Sequence, residues 1–202
     1  MRKTGIFGGT FNPIHLGHVR LGQMVLNDLK LDRIIYIPDN TPPHKSDKDL
    51  ASGSDRLKMI ELALKDCGNM EASDIELRRE GKSYTYQTLL ELKKMYPGDE
   101  LFLITGADMF LTLDRWKEPG IIFENAGIIG VPRVGSDYDR MEKYASDVII
   151  PMGARVFMLS HTVFDAASST FVRDNIDDYH KIADMISPEV YRYITENNLY
   201  RK

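Results

Sequence analysis

An eleven-residue segment, GGTFNPIHLGH at positions 8–18, constrains this chain more than any other part of the sequence. It joins a short apolar strand at residues 3–7 to an amphipathic helix. Gly8 and Gly9 lack a Cβ, so the backbone there can adopt positive φ and approach a ligand closely, while Thr10 adds a hydroxyl donor. The segment therefore predicts a loop that holds phosphate at the start of a helix.

Two histidines of this segment, His15 and His18, fall at or just inside the first turn of the predicted helix. Residues three apart lie on one helix face, so both rings can meet the same ligand. The helix N-terminus adds free N–H groups and partial positive charge, which together with the imidazoles predicts an anion site. A metal is the alternative, but a zinc site needs three or four protein ligands, and the chain has one Cys and three other His.

The composition is that of a globular protein. Hydrophobic residues make up 43% and charged residues 28%, without a repeat or a low-complexity tract, so we expect one α/β domain over residues 1–202 with a helical segment at about residues 168–202. The net charge of −4 disfavours nucleic-acid binding, and no apolar run approaches the ~20 residues that span a bilayer. The single Cys67 and the lack of a secretory pattern favour a cytoplasmic protein. No stripe of residues predicts an oligomeric state.

Strand and helix patterns alternate along the chain, which predicts an open, mainly parallel sheet with helices on both faces. The predicted strands are residues 3–7, 33–37, 69–77, 101–104, 126–131 and 155–159. The predicted helices are residues 16–29, a segment capped near Ser54, a segment from Ser83 or Thr85 to Met95, and residues 138–145, 168–176 and 188–197.

The chemically distinctive residues follow the predicted strands. In an open parallel sheet, ligands bind at the carboxyl ends of the strands, where the strand order reverses. Those ends carry residues 8–18, residues 41–45, Gly106 with Asp108, and Arg133, after the first, second, fourth and fifth strands, respectively. A core has no reason to place polar groups there, so this ordering predicts a ligand site.

The segment 8–18 resembles the T/H-x-G-H signature of the nucleotidylyltransferase superfamily, and its GGTFNPIH form is similar to that of the bacterial nicotinate-nucleotide adenylyltransferase family. The resemblance covers nearly the whole chain and implies a Rossmann-like nucleotidylyltransferase fold. It also implies an enzyme that transfers the adenylyl group of ATP to nicotinate mononucleotide, giving nicotinate adenine dinucleotide and pyrophosphate in NAD biosynthesis.

The expected ATP site is built from four segments of the chain. Asp108 could cap a short helix, but a carboxylate there can also accept hydrogen bonds from both ribose hydroxyls, and the Gly-x-Asp motif of the family favours that role. The string SSTFVR at 168–173 resembles the family motif I-S-S-T-x-I-R, with Ala167 and Val172 in place of the isoleucines, and predicts a second phosphate site. The expected ATP-binding residues are Gly8, Gly9, Thr10, Phe11, Gly106, Asp108, Arg133, Ser168, Ser169 and Thr170.

A second set of residues is expected to bind nicotinate mononucleotide. The string SYTYQTL at 83–89 resembles the family element S-Y-T-x-x-T-L, in which a helix start meets the nicotinate carboxylate; capping alone is the alternative. Thr85 would offer a hydroxyl and Tyr84 a pocket wall. Trp116, the only tryptophan, stands among charged residues and suits stacking on a flat cationic ring better than core packing. Lys45, on a proline-flanked loop, would either reach the mononucleotide phosphate or remain solvated.

The expected reaction needs no serine or cysteine nucleophile and no general base, because the 5′-phosphate of the mononucleotide itself attacks. The catalytic residues are expected to be His15, His18 and Arg173. The histidines would hold the transferred α-phosphate, while Arg173 with Ser169 and Thr170 would hold the β- and γ-phosphates. We expect Mg²⁺ to bind mainly through phosphate oxygens and water rather than at a metal site of the protein.

Three other functions share parts of this pattern. Pantetheine-phosphate adenylyltransferases share the fold and the histidine signature, but the Ser-Tyr-Thr element and Trp116 have no purpose in that reaction. An aminoacyl-tRNA synthetase fragment would need a KMSKS string and a basic RNA-binding face, which this sequence lacks. A non-catalytic nucleotide sensor would keep the phosphate loop and lose half of the catalytic set, whereas both histidines and Arg173 are present.

Overall fold

A computed structural model describes residues 1–40, 50–133, 135–159 and 167–201. Its strands are β1 (Arg2–Gly9), β2 (Arg33–Pro38), β3 (Met70–Ala72), β4 (Asp99–Gly106), β5 (Ala126–Val131) and β6 (Val156–Met158). They form one parallel sheet in the order β3-β2-β1-β4-β5-β6, so the strand order reverses beside β1. The predicted open parallel α/β sheet is confirmed.

The helices in the described ranges are α1 (Leu16–Asp28), α2 (Gly53–Leu64), α3 (Thr85–Met95), α4 (Ala107–Phe110), α5 (Pro119–Asn125), α6 (Gly135–Tyr144), α7 (Ser169–Asp174), α8 (Tyr179–Ile182) and α9 (Pro188–Glu196). A 3₁₀ turn at Leu113–Arg115 and a π-helical turn at Ala145–Ile149 accompany them. In this part of the chain, no helix has both the length and the apolar character that a membrane crossing requires.

The sheet is buried along its inner strands. All six residues of β2 and all six of β5 are buried, a pattern typical of parallel strands that are covered on both faces. β1 and β4 pair in parallel, with Thr4 opposite Leu101. At Gly5 an added Cβ would lie 2.9 Å from Leu31 Cδ1, so any larger residue would displace the packed side chains around it.

Two short elements depart from the sequence prediction. The third strand, predicted for residues 69–77, ends at Ala72, and the chain then turns, with the Arg78 N–H donating to the Asp74 carbonyl at 3.1 Å. The seven-residue helix α5, which the sequence does not predict, begins after Glu118, whose φ of 54° is left-handed. Segments this short span too few residues for a hydrophobic period to reveal them.

Of two predicted helix caps, one lies close to the observed cap and one is wrong. α2 is capped by Ser52, whose side chain accepts a hydrogen bond from a first-turn N–H, so the cap lies two residues before Ser54. α3 was expected to be capped by Ser83 or Thr85, but its N-cap residue is Tyr84, whose own side chain makes no capping hydrogen bond.

The internal contacts of the chain group its residues into two compact units. The first comprises Met1–Phe7, Val25–Ile34 and the described residues of Ser83–Phe164; it contains β4, β5 and β6. The second comprises Gly8–Met24 and the described residues of Ile35–Lys82 and Asp165–Lys202; it contains α2 and the helices from α7 onward. A single domain over residues 1–202 stays a prediction.

Candidate active site

The loop that follows β1 lies in the second unit and contains residues predicted to hold phosphate. Gly8 and Gly9 are the last residues of β1 and do not use the positive φ that glycine allows; the left-handed backbone falls at Phe11, with a φ of 46°. A Cβ on Gly8 would meet no described atom within 4 Å, whereas one on Gly9 would lie 3.3 Å from the Phe11 ring. Gly8 therefore leaves space for a ligand, and Gly9 makes room for Phe11.

The Thr10 hydroxyl, expected to face a ligand, donates to the Asp39 carboxylate at 3.0 Å. The same carboxylate accepts from Arg56 Nη1 at 3.1 Å, and Nη1 also donates to the Thr10 carbonyl at 2.9 Å. Arg56 Nη2 donates to the Asp39 carbonyl at 2.8 Å, and Nε donates to the Ala51 carbonyl at 3.1 Å. One guanidinium thus ties together the segments that follow β1 and β2.

Arg56 is a site residue that the sequence analysis missed, and its side chain is 1% exposed. Burial lowers the pKa of the Arg56 guanidinium, and the neighbouring charge of Asp39 opposes that shift. Because a guanidinium stays charged in proteins, its burial requires a full set of acceptors. The sequence did carry a signal, since Arg56 precedes Met59 and Ile60 by three and four positions on the face that α2 buries.

The two histidine rings stack, with centroids 3.7 Å apart and an interplanar angle of 25°, as their spacing predicted. The backbone N–H of His15 donates to His18 Nδ1 at 3.3 Å. The Phe11 ring meets the His18 ring edge-on, with ring centroids 5.1 Å apart. An Nδ1 that accepts a hydrogen bond leaves the proton of a neutral His18 ring on Nε2. His15 is buried and His18 is half-buried, so the Nε2 donor of His18 belongs to the more accessible ring.

Tyr36 of β2 holds the start of α1 through a hydrogen bond to its backbone. Its hydroxyl donates to the His18 carbonyl at 3.0 Å, and burial raises the pKa of this hydroxyl, which keeps it protonated as a donor. A Cβ on Gly22 would lie 2.0 Å from the Tyr36 oxygen. Glycine at this position of α1 therefore permits the contact that holds the histidine-bearing turn.

The motif that begins α7 lies against the same loop. Arg173 Nη1 donates to the Asn12 carbonyl at 2.6 Å, and the Ser169 hydroxyl donates to the Pro13 carbonyl at 2.9 Å. Thr170 Oγ1 accepts from Arg173 Nη2 at 3.4 Å. The structure therefore brings together the two segments that were predicted to hold phosphates.

Two further contacts hold these segments in place. Ser168 accepts from the Phe171 N–H at 3.1 Å, so its side chain caps α7. Asn12 Oδ1 accepts from the Ala51 N–H at 3.0 Å and from the Tyr200 hydroxyl at 2.6 Å. Sequence reasoning also missed Tyr200, because no local pattern signals a contact across 188 positions of the chain.

In the first unit, Asp108 and Arg133 form an ion pair, with 2.8 Å between Asp108 Oδ2 and Arg133 Nη1. The side chain of Asp108 is 70% exposed and that of Arg133 is 69% exposed. An ion pair this exposed is weak, so its two members can separate to bind a ligand. Gly106 is the N-cap residue of α4, and no side-chain capping bond from the described residues is present. Asp108 therefore does not cap α4, and its carboxylate accepts a hydrogen bond from Arg133 instead.

The N-cap residue of α3, Tyr84, likewise contributes no side-chain capping hydrogen bond. The N–H groups of the first turn, beginning with Thr85, carry partial positive charge, and no acidic side chain stands in that turn. Lys117 Nζ lies 4.8 Å from the centre of the Tyr84 ring. The partial charge of the helix start and the nearby lysine both favour an anionic group at this position.

Trp116 follows the 3₁₀ turn Leu113–Arg115 and is half-buried, so it is not a core residue. Its indole N–H donates to Thr112 Oγ1 at 3.1 Å. The predicted residue Lys45 lies outside the described residues. Among the residues that the structure describes, His, Cys, Asp and Glu form no group of three or more that could hold a metal ion.

Residues 6–180 of the chain match the family described as cytidylyltransferase-like. Among curated relatives, proteins named "Probable nicotinate-nucleotide adenylyltransferase" match along almost their whole length. The protein of Clostridium tetani is 35% identical over 100% of both chains, and that of Oceanobacillus iheyensis is 38% identical over 99% of this chain and 97% of its own.

Solved structures agree on the fold. Plasmodium falciparum nicotinic acid mononucleotide adenylyltransferase complexed with NaAD superposes with a TM-score of 0.80, covering 99% of this chain and 98% of that one. At 19% sequence identity, this likeness shows the fold alone.

Proposed function

Because the chain belongs to the cytidylyltransferase-like family and, within it, to the nicotinate-nucleotide adenylyltransferases, we propose that it transfers the adenylyl group of ATP to nicotinate mononucleotide. The products are nicotinate adenine dinucleotide and pyrophosphate, in NAD biosynthesis. The observation that carries this proposal is the match to relatives of that name over the full length of both chains.

In this reaction a phosphate oxygen of the mononucleotide attacks the α-phosphorus of ATP, a new P–O bond forms, and the bond to pyrophosphate breaks. The nucleophile is already an anion, so the protein must align two anions and stabilise the charge that moves toward the leaving group. Hydrogen-bond donors fixed in position before the reaction are suited to that task.

The histidine pair supplies such donors. The stacked rings and the bond from the His15 N–H to His18 Nδ1 fix the plane of the His18 ring. We assign His18 Nε2 as a donor to the transferred α-phosphate, which the open space beside Gly8 would admit. His15 braces the His18 ring and adds its own imidazole to the same anion site.

Arg173 is assigned to the β- and γ-phosphates. It has five N–H donors, and two of its nitrogens already donate to Asn12 and Thr170, which set its orientation. The Ser168 and Ser169 hydroxyls hold α7 and the loop in place in this structure, so their contribution to phosphate binding rests on their backbone N–H groups.

Mg²⁺ fits this arrangement as an ion carried by the nucleotide. Among the described residues near the histidine loop, the Asp39 carboxylate is engaged by Arg56 and Thr10, so we assign the ion to phosphate oxygens and water. When bound, it would neutralise charge on the triphosphate.

The residues of the first unit are assigned to the nucleoside parts. Asp108 would accept from ribose hydroxyls, with Gly106 and Arg133 beside it, and Trp116 would stack on the pyridine ring. The first turn of α3, with Thr85 and Tyr84, would receive the nicotinate carboxylate. Lys45, on a proline-flanked segment of the sequence, stays a prediction, as a contact of the mononucleotide phosphate or as a solvated lysine.

The test is an assay of the purified protein with ATP, Mg²⁺ and nicotinate mononucleotide, following pyrophosphate and the dinucleotide separately. Equal amounts of both products are expected. ATP binding without turnover would instead identify a nucleotide sensor, and turnover with pantetheine phosphate alone would identify the other adenylyltransferase. Either result would overturn the proposal.

A further inference from the structure

Thr112 makes the hydrogen bond that holds the indole of Trp116, and nothing in the sequence pattern had marked it. We propose that Thr112 is a positioning residue that fixes the ring plane of Trp116 for nicotinate mononucleotide. This inference rests on the proposed function, in which Trp116 stacks on the pyridine ring.

The direction of the hydrogen bonds supports this role. The Thr112 hydroxyl donates to the Met109 carbonyl at 2.8 Å, so its single proton is committed and its lone pairs remain for an incoming donor. The Trp116 indole N–H donates to that oxygen at 3.1 Å. The Thr112 N–H also donates to the Met109 carbonyl, at 3.1 Å, which fixes the threonine itself. The indole is thus tied to α4, the helix that carries Asp108.

The backbone around Trp116 is held independently of this hydrogen bond. The Tyr144 hydroxyl donates to Asp114 Oδ1 at 2.6 Å and accepts from the Asp114 N–H at 3.0 Å. Leu113 is fully buried, and its carbonyl accepts from the Trp116 N–H at 3.2 Å. Loss of the Thr112 hydroxyl should therefore free the indole ring while the surrounding backbone keeps its place.

A ring that is held in place before binding loses less freedom when a ligand stacks on it. The benefit should appear in the binding of the mononucleotide, whose pyridine meets the indole, and should be absent from the binding of ATP. A structural role of Thr112 in general folding would affect both substrates alike.

The experiment compares Thr112→Val, which keeps the shape and removes the hydroxyl, with Thr112→Ser, which keeps the hydroxyl. Thr195→Val is the matched control, because the Thr195 hydroxyl also donates to a carbonyl three residues earlier, that of Arg192 at 2.8 Å. Trp116 is the only tryptophan, so acrylamide quenching and anisotropy of intrinsic fluorescence report this one ring in the ligand-free protein.

In Thr112→Val we expect faster quenching and lower anisotropy, with the KM for nicotinate mononucleotide raised about three- to tenfold, the range for one lost neutral hydrogen bond. The KM for ATP and kcat should stay within about twofold, and Thr112→Ser and Thr195→Val should match the unchanged protein.

The outcomes separate this inference from the proposed function. A Thr112→Val protein with unchanged fluorescence, or with a freed indole and an unchanged KM for the mononucleotide, would overturn the positioning role while the enzyme assignment stands. Equal effects on both substrates, or a Thr112→Ser protein that behaves like Thr112→Val, would also overturn it. An unchanged protein that makes no dinucleotide would overturn the proposed function and this inference with it.

Discussion

Arg56 Nη1 lies 3.1 Å from Asp39 Oδ1, and the guanidinium of this ion pair is almost completely buried. The pair connects α2 to the segments after β1 and β2, because the same guanidinium also donates to the Thr10 and Asp39 carbonyls. Because the guanidinium holds the Thr10 carbonyl in the histidine-bearing segment, the shape of the candidate phosphate site depends on this buried charge.

Arg56→Met should lower the free energy of unfolding by about 3–5 kcal/mol, because it leaves Asp39 and several carbonyls without their buried partner. Urea unfolding followed by circular dichroism measures the change. Lys58→Met is the control on the same helix, since Lys58 is about half exposed at 51% and its ion pair with Glu61 lies in solvent. It should alter stability by less than about 0.5 kcal/mol. Equal stability of the two variants would contradict the assigned role of Arg56.

His18→Ala should reduce kcat by roughly 10²–10³-fold and leave the fold intact, because it removes a donor that is expected to act mainly in the transition state. Steady-state assays with both substrates measure the loss, and circular dichroism checks the fold. His180→Ala, on the exposed face of α8, is the matched control and should retain full activity. Normal turnover in His18→Ala would remove His18 from the mechanism.

Arg173→Ala should lower kcat and raise the KM for ATP by about tenfold or more, since a charge-assisted phosphate contact is lost. The KM for the mononucleotide should change much less, and the ratio of the two KM changes is the informative measurement. Arg192→Ala removes an exposed arginine of α9 and should behave as the unchanged protein. Normal ATP affinity in Arg173→Ala would show that the β- and γ-phosphates bind elsewhere.

The enzyme should prefer nicotinate over nicotinamide mononucleotide by at least about a hundredfold in kcat/KM. At the start of α3 a carboxylate would gain charge-assisted hydrogen bonds worth roughly 1.5–3 kcal/mol each, whereas the NH₂ of an amide would face other donors. Thr85→Ala should mainly reduce this preference, and Trp116→Ala should weaken both substrates. Equal kcat/KM for the two mononucleotides in the unchanged protein would sink the assignment of this pocket.

The free energy of unfolding should decrease in acid, in part because Asp99 becomes protonated. Burial acts to raise the pKa of this carboxyl, but hydrogen bonds from Thr4 and Arg33, with the nearby arginine charges, hold the pKa below its ordinary value of 3.8. A carboxyl whose folded-state pKa is lowered contributes stability above the unfolded value, and that contribution is lost as pH falls through the folded-state pKa.

Asp99→Asn should therefore destabilise the protein at about pH 6 and show a much smaller difference from the unchanged protein at about pH 3. Unfolding free energies at the two pH values test this. Asp177→Asn is the control, because its carboxylate is 77% exposed and should contribute little at either pH. If the difference in unfolding free energy between Asp99→Asn and the unchanged protein does not become smaller in acid, the role given to this carboxylate is contradicted.

Much of the fold could be predicted because patterns over a few neighbouring residues indicate its strands and helices. The apolar runs of β2 and β5 mark buried parallel strands, and the three-residue spacing of His15 and His18 places both rings on one face. Where elements are very short, as in β3 and α5, local periodicity has too few residues to act on, and the predictions fail there.

The sequence by itself determined the alternation of strands and helices, the polar residues that follow the strands, and the identity of the histidine and arginine candidates. Only the tertiary structure decided which hydrogen bonds hold them. The Asp39 carboxylate accepts from the Thr10 hydroxyl, and Thr112 accepts from the Trp116 indole. Asn12 accepts from both Arg173 and Tyr200. Hydrophobic periodicity and turn chemistry act over a few residues, so they can be read along the chain. A buried hydrogen bond instead depends on which groups the whole fold removes from water together, and partners such as Asn12 and Tyr200, 188 positions apart, meet only when the chain has folded.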